Sequence, residues 1–194
     1  IQHECSDNVV LIMDSYNASR KTIELYNKSY SNIALIDDTL SIDVNHGVVI
    51  NPTNFFEYIA HKCNPNINYI KGRDLILLRK EFWEVPRYFV RDKIDNITIT
   101  MGANDLRRIS FKLASFLNSN FNIRNISIVR NDETISSTDA HSNSKNVCIR
   151  KNLSAIEMRD LMCQSDLVIS GGGQTLYELA RIGVPAIAVC LIEN

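Results

Sequence analysis

The residues with the clearest chemical potential are three consecutive glycines, Gly171, Gly172 and Gly173, followed by Gln174, Thr175 and, one helical turn on, Glu178. A buried strand over 167–170 is predicted to run into them and a helix over 174–182 to leave them. Glycine at such a junction lets the backbone come close to a ligand, because no Cβ intervenes. The N–H groups of the first helical turn and the positive end of the helix dipole favour an anion there. Phosphate is the anion this arrangement suits. Thr175 adds a hydroxyl donor, and Glu178 is placed to accept from two neighbouring hydroxyls of a ribose. The same glycines also fit a tight turn that binds nothing, and Glu178 alone fits a solvated helix carboxylate.

Two other phosphate loops match less well. A dinucleotide fingerprint needs G-x-G-x-x-G. Gly171 and Gly173 fit it, but Leu176 stands at the third position, even though Glu193 lies about where a ribose-binding acid belongs. A P-loop needs G-K-[ST] after its glycines, which is absent here.

These residues need a scaffold, and the hydrophobic pattern supplies one. Strands are read at 9–13, 33–36, 48–50, 97–101, 126–129, 147–149, 167–170 and 186–192, each a short apolar run of the kind buried on both faces. Helices are read between them. Ser19 caps one running to about Tyr30. Asp105 is placed to cap another, with Leu106, Ile109, Leu113, Phe116 and Leu117 at helical spacing. Ser154 and Glu157 form a capping box for a third, running to about Cys163. The helix after the glycines stops at Gly183, with Pro185 beyond. Residues 131–146 read as a polar surface loop. Strands alternating with helices imply parallel sheets covered on both faces. Two blocks follow, 1–85 and 95–194, with Trp83 to Lys93 read as a linker.

Composition narrows the class. The 194 residues are 45% hydrophobic and 22% charged, with a formal net charge of -1. That is ordinary globular composition, and it gives weak electrostatic grounds for nucleic-acid binding. No apolar run reaches the ~20 residues of a membrane span. Cys5, Cys63, Cys148, Cys163 and Cys190 are scattered, odd in number and never C-x-x-C, which argues against a disulfide framework or a zinc site. A reducing cytoplasm is the expected compartment, and no cofactor or metal is expected. The pair Asp37-Asp38 reads as a solvated strand end, since a metal pair needs more carboxylates nearby.

Ser170 through Leu179, then Gly183-Val184-Pro185, then Glu193-Asn194, resemble the C-terminal signature of the UDP-sugar hydrolase family of pseudaminic acid biosynthesis and its spore coat polysaccharide relatives. Ile99 through Asp105 looks like the family's strand and G-G-x-D turn, and Leu11 through Tyr16 its D-x-Y element. Ile36-Asp37-Asp38 resembles its paired aspartates, and Gly72 with Leu77-Leu78-Arg79-Lys80-Glu81-Phe82 its L-L-R-x-E-F run. The family is similar to MurG-type glycosyltransferases. The resemblance therefore implies a GT-B-like α/β fold, with a partial sugar-side domain over 1–85 and a UDP-binding domain over 95–194 that lacks its final helix.

The resemblance also implies an activity: hydrolysis of a UDP-linked amino sugar to UDP and free sugar. Gly171, Gly172, Gly173, Gln174 and Thr175 would hold the diphosphate, and Glu178 the ribose, with Gly102 and Asp105 on the same nucleotide side. Asn194 and Tyr16 would face the sugar or the attacking water. Tyr16 equally fits a loop residue at the domain edge, and Asp105 a helix cap. Arg107 and Arg108, at a helix start, face either a phosphate or solvent. The family's G-x-G-H-x-x-R loop, with its catalytic His, has no counterpart in these residues and is expected upstream of Ile1. Arg108 stands where the family has Asn, and Asp74 where it has Tyr. A glycosyltransferase of the same architecture and a non-catalytic nucleotide-sugar sensor stand as alternatives. The sugar itself and the oligomeric state are not readable.

Overall fold

A computed structural model describes residues 9–15, 17–53, 57, 63–102, 105, 108–130 and 145–190. The chain divides into two compact units, 1–77 and 78–194. In the first, four strands pair in parallel in the order β1 (Val10–Asp14), β2 (Asn32–Ile36), β3 (Val48–Asn51), β4 (Asn68–Lys71). Helix α1 (Arg20–Ser29) begins where Ser19 Oγ accepts from Thr22 N at 3.2 Å, the expected cap. Its Ile23 packs with Met13, Ile33, Leu35 and Val49, one face of the sheet.

The second unit holds five parallel strands: β5 (Asn96–Thr100), β6 (Asn125–Arg130), β7 (Val147–Lys151), β8 (Leu167–Ser170) and β9 (Ala186–Ala188). Their order across the sheet is β7-β6-β5-β8-β9. Helix α2 (Ile109–Asn120) covers one face over Ile97, Ile99, Ile126, Ile128 and Ile169. Helices α3 (Ala155–Gln164) and α4 (Gln174–Ile182) cover the other, with Met158, Met162, Leu179 and Ile182 against Val129 and Val168. Both units are thus parallel-sheet α/β units, as the alternation of strands and helices implies.

The local signals explain most element ends. Both halves of the Ser154–Glu157 capping box form. Gly183 ends α4 at φ 87°, its N–H bonded to Leu179 O at 2.8 Å. Phe116, one of the residues at helical spacing, lies on α2 but is more than half exposed. Among the described residues β9 covers only three of the positions read as a strand, and 191–194 lie outside the description.

The division between units falls at Leu77–Leu78 rather than across 85–95. The segment read as a linker packs into the second unit. Phe82, immediately before it, is fully buried among Met158, Met162, Val168 and Leu179. Tyr88 donates its hydroxyl to Ser165 O at 2.7 Å. Arg91 pairs with the buried carboxylate of Asp166, which also accepts from the N–H groups of Asp95 (2.9 Å) and Asn96 (2.7 Å). A stretch with few periodic apolar residues looks like a linker in sequence, because its anchors lie some 70 residues away.

Burial alone pushes the Asp166 carboxyl up. The Arg91 hydrogen bond and the Asn96 and Asp95 N–H groups outweigh it and hold the group below its ordinary value. A carboxyl depressed in the fold stabilises it above the unfolded value, and that stabilisation is lost as pH falls through the folded one. Urea denaturation of Asp166→Asn should therefore show a deficit against the unsubstituted protein that is full above about pH 5 and narrows below about pH 4. Phe82→Ala should cost about 3–5 kcal/mol in the same assay, through loss of a fully buried ring.

Candidate functional site

The strand order reverses between β5 and β8. The chain leaves β5 toward β6 on one side and leaves β8 toward β9 on the other. Loops leaving the carboxyl ends of these two neighbours diverge and open a crevice, the usual ligand position in open α/β sheets. Thr100 and Ser170 are paired in register at that edge. Gly102 follows the first and Gly171–Gly173 the second.

Gly171 donates its N–H to Thr100 O at 2.9 Å, tying the two loop roots together. Gly172 N–H meets Ser170 Oγ at 3.2 Å, and Val189 N–H meets Ser170 O at 2.7 Å. The chain then turns through positive φ at Gly172 (97°) and Gly173 (68°). A Cβ added at either would meet nothing within 4 Å. Glycine is therefore required by the backbone angles, and the space over the loop is open. Gly173 is the N-cap of α4 and offers no side-chain acceptor, so an outside anion can serve the first-turn N–H groups.

Beside the loop lies a cavity of about 200 Å³. Val129, Leu153 and Met158 give it an apolar wall, and Thr100, Gly102, Thr175, Glu178 and Arg79 give it polar atoms. Glu178 is buried and held in a two-point fork: Arg79 Nε donates to Oε1 at 2.7 Å and Nη2 to Oε2 at 3.0 Å. The Arg79 guanidinium also lies 5.0 Å from the centre of the Phe82 ring.

The structure thus gathers Gly102, Thr175 and Glu178 around one cavity, with Gly171, Gly172, Gly173 and Gln174 in the adjoining loop and helix start. The expected donors are not equivalent, since the Gly171 N–H is spent on Thr100 O and the Gly172 N–H on Ser170 Oγ. Asp105 is buried and accepts from Ile109 N (2.8 Å), Ser110 N (3.0 Å) and Ser110 Oγ, which is the work of a helix cap. The Arg108 guanidinium lies 5.4 Å over the Phe111 ring, an aromatic partner weighed in neither reading. Asp37 organises the loop after β2 through the N–H groups of Thr39, Ser41 and Ile42. Tyr16, Arg107 and Asn194 lie outside the described residues. Arg79 and Thr100 were not foreseen as site residues. The L-L-R-x-E-F run carried the signal for Arg79, but its partner lies 99 positions away.

A larger open groove, about 430 Å³, is lined by Arg91, Asp92, Lys93, Asp95, Asn96, Gln164 and Asp166. It sits at the opposite, amino ends of β5 and β8, where the Asp166 carboxylate is already committed to Arg91 and two backbone amides. Among the described residues, no three or more His, Cys, Asp or Glu side chains are grouped to hold a metal ion. Nor is any helix long and apolar enough to cross a membrane.

Comparison with known proteins adds little beyond this geometry. No family model matches the chain. It is 28% identical over 131 residues to the uncharacterized protein MJ1062 of Methanocaldococcus jannaschii, an alignment covering 62% of this chain and 27% of that protein. The chain thus spans about a quarter of that relative's length. A crystal structure of a GtfA/B complex bound to UDP and GlcNAc aligns with 92% of this chain and 42% of its own, at a TM-score of 0.39 and 11% identity.

Gly173 sits at φ 68°, ψ -153°, a region open essentially to glycine alone. Gly173→Ala should cost about 1–3 kcal/mol by urea denaturation, through backbone strain, as no clash awaits the methyl. An unchanged midpoint would mean the loop does not hold this conformation.

Proposed function

We propose that the second unit binds the diphosphate of a nucleotide sugar, and that the protein hydrolyses a UDP-linked amino sugar. The observation that carries the reading is the glycine loop at the strand-order reversal, its turn open above and its helix start without a side-chain cap. Thr175 and Gly102 border the cavity alongside. The uridine base and the sugar come from the motif resemblance, in which the Gly-Gly-Gly-Gln-Thr run and the Gly183-Val184-Pro185 stop fall in family order.

Hydrolysis needs water to attack the anomeric carbon as the bond to the diphosphate oxygen breaks. A base takes the proton from water, and donors stabilise the negative charge gathering on the leaving UDP. Amide and hydroxyl donors at residues 173–175 suit the second task. The resemblance gives the base to a His outside these residues and gives Tyr16 and Asn194 contacts to the sugar or the water.

Calorimetric titration should show UDP binding, weakened about tenfold by Thr175→Ala through loss of a hydrogen bond to a charged group. Identical heats for both proteins would remove Thr175 from the reading, and absence of UDP binding would remove the reading itself. Release of free sugar from a UDP-linked acetamido sugar in plain buffer separates hydrolysis from transfer, which needs an added acceptor alcohol.

A further inference from the structure

The Glu178 side chain is 3% exposed, yet it borders the same cavity as Thr175 and Gly102. A carboxylate held there beside Val129, Leu153 and Met158 is costly unless a cation and hydrogen bonds are supplied. Arg79 supplies both, Nε to Oε1 and Nη2 to Oε2. A carboxylate has about four acceptor sites. The fork takes one on each oxygen and leaves one on each. A flat two-point contact also sets the plane of the carboxylate, and with it the directions of the two sites that remain.

The cation is itself held in place. Its guanidinium lies 5.0 Å from the centre of the Phe82 ring, and that ring is fully buried. Trp83 Nε1 donates to Leu78 O at 3.0 Å and closes the turn that contains Arg79. Both neighbouring helices pin this turn: Arg159 of α3 donates to Glu81 O at 3.3 Å, and Arg181 of α4 donates to Trp83 O. Helix α4 thus carries the carboxylate and also anchors the segment that presents its partner.

We infer that Arg79 is a positioning residue for recognition of the nucleotide's ribose. It holds the Glu178 carboxylate so that the two remaining acceptor sites meet the sugar hydroxyls, and it acts through that carboxylate rather than on the ligand. This rests on the nucleotide reading above, in which the resemblance gives the ribose to Glu178. A lysine at position 79 keeps the charge but offers a point contact, which does not fix the carboxylate plane.

The test measures affinity for UDP and for its 2′,3′-dideoxy form by calorimetry. The proteins are the unsubstituted chain, Arg79→Lys, Glu178→Gln and the double variant, with urea midpoints to check folding. The unsubstituted protein should favour UDP over the dideoxy form about tenfold, and Arg79→Lys should cut that ratio to about threefold. Glu178→Gln should also lower the ratio. Adding Arg79→Lys to Glu178→Gln should change it no further, because the group through which Arg79 acts is gone. The inference is overturned if either single variant keeps the full ratio, including by weakening both ligands in equal proportion. It is equally overturned if Arg79→Lys lowers the ratio further in the Glu178→Gln background, which would put Arg79 on the ligand itself. That second comparison stands even where Arg79→Lys alone does not fold, since Glu178→Gln leaves no carboxylate to be stranded. Equal binding of both ligands by the unsubstituted protein removes the ribose contact and this inference but leaves the diphosphate site. Failure to bind UDP at all removes the underlying reading as well.

Discussion

Parallel pairing of β5 with β8 is the constraint on which the second unit is built. Paired residues of the two strands are 70 positions apart in sequence, yet they lie side by side with Ile97 against Leu167 and Thr100 against Ser170. Because the chain leaves them in opposite directions, no connection crosses the gap above their carboxyl ends. Right-handed crossovers from this centre place α2 on one face and α3 and α4 on the other. The crevice and the two layers that support it therefore have a single origin. The Gly171 amide bonded to Thr100 O shows how closely the loop roots are held there.

Much of this was legible locally. Continuous apolar runs marked strands, of which β5, β6 and β8 are buried along most of their length while β1 and β9 stay largely exposed, and each helix carried its own start or stop: Ser19, the Ser154–Glu157 box, Gly183. The three glycines announced a backbone turn that side chains resist, and the φ values at Gly172 and Gly173 supply the reason. What was not legible is non-local. Strand order is set by pairing between distant segments, so nothing in 96–100 states that 167–170 will lie beside it. The surroundings of Glu178 were hidden on the same ground. Helical position placed its carboxylate near the glycine loop, but its exposure and its partner depended on Arg79, far away in sequence. Asp105 was readable both as a cap and as a ligand group, and its contacts with Ile109 and Ser110 are those of a cap.

The segment 78–95 shows how an apolar anchor can be hidden in a polar stretch. Phe82 is one ring among charged neighbours, yet it is buried with α3 and α4. Around it Arg79, Tyr88 and Arg91 each reach a partner on the second unit: a helix carboxylate, a backbone carbonyl and the Asp166 carboxylate. The segment is a strap across that layer, and it brings a guanidinium to the cavity as a by-product of where its ring must go.

β8 is four residues long, about 13 Å of extended chain. Its lower end abuts the Asp166 clamp and its upper end becomes the glycine loop, so the two are the tips of one short rod. A rod this short leaves few residues over which a displacement at the lower tip could be absorbed. Substitutions remote from the crevice, near Arg91 or Asn96, therefore act on the strand whose other end sets the loop's root.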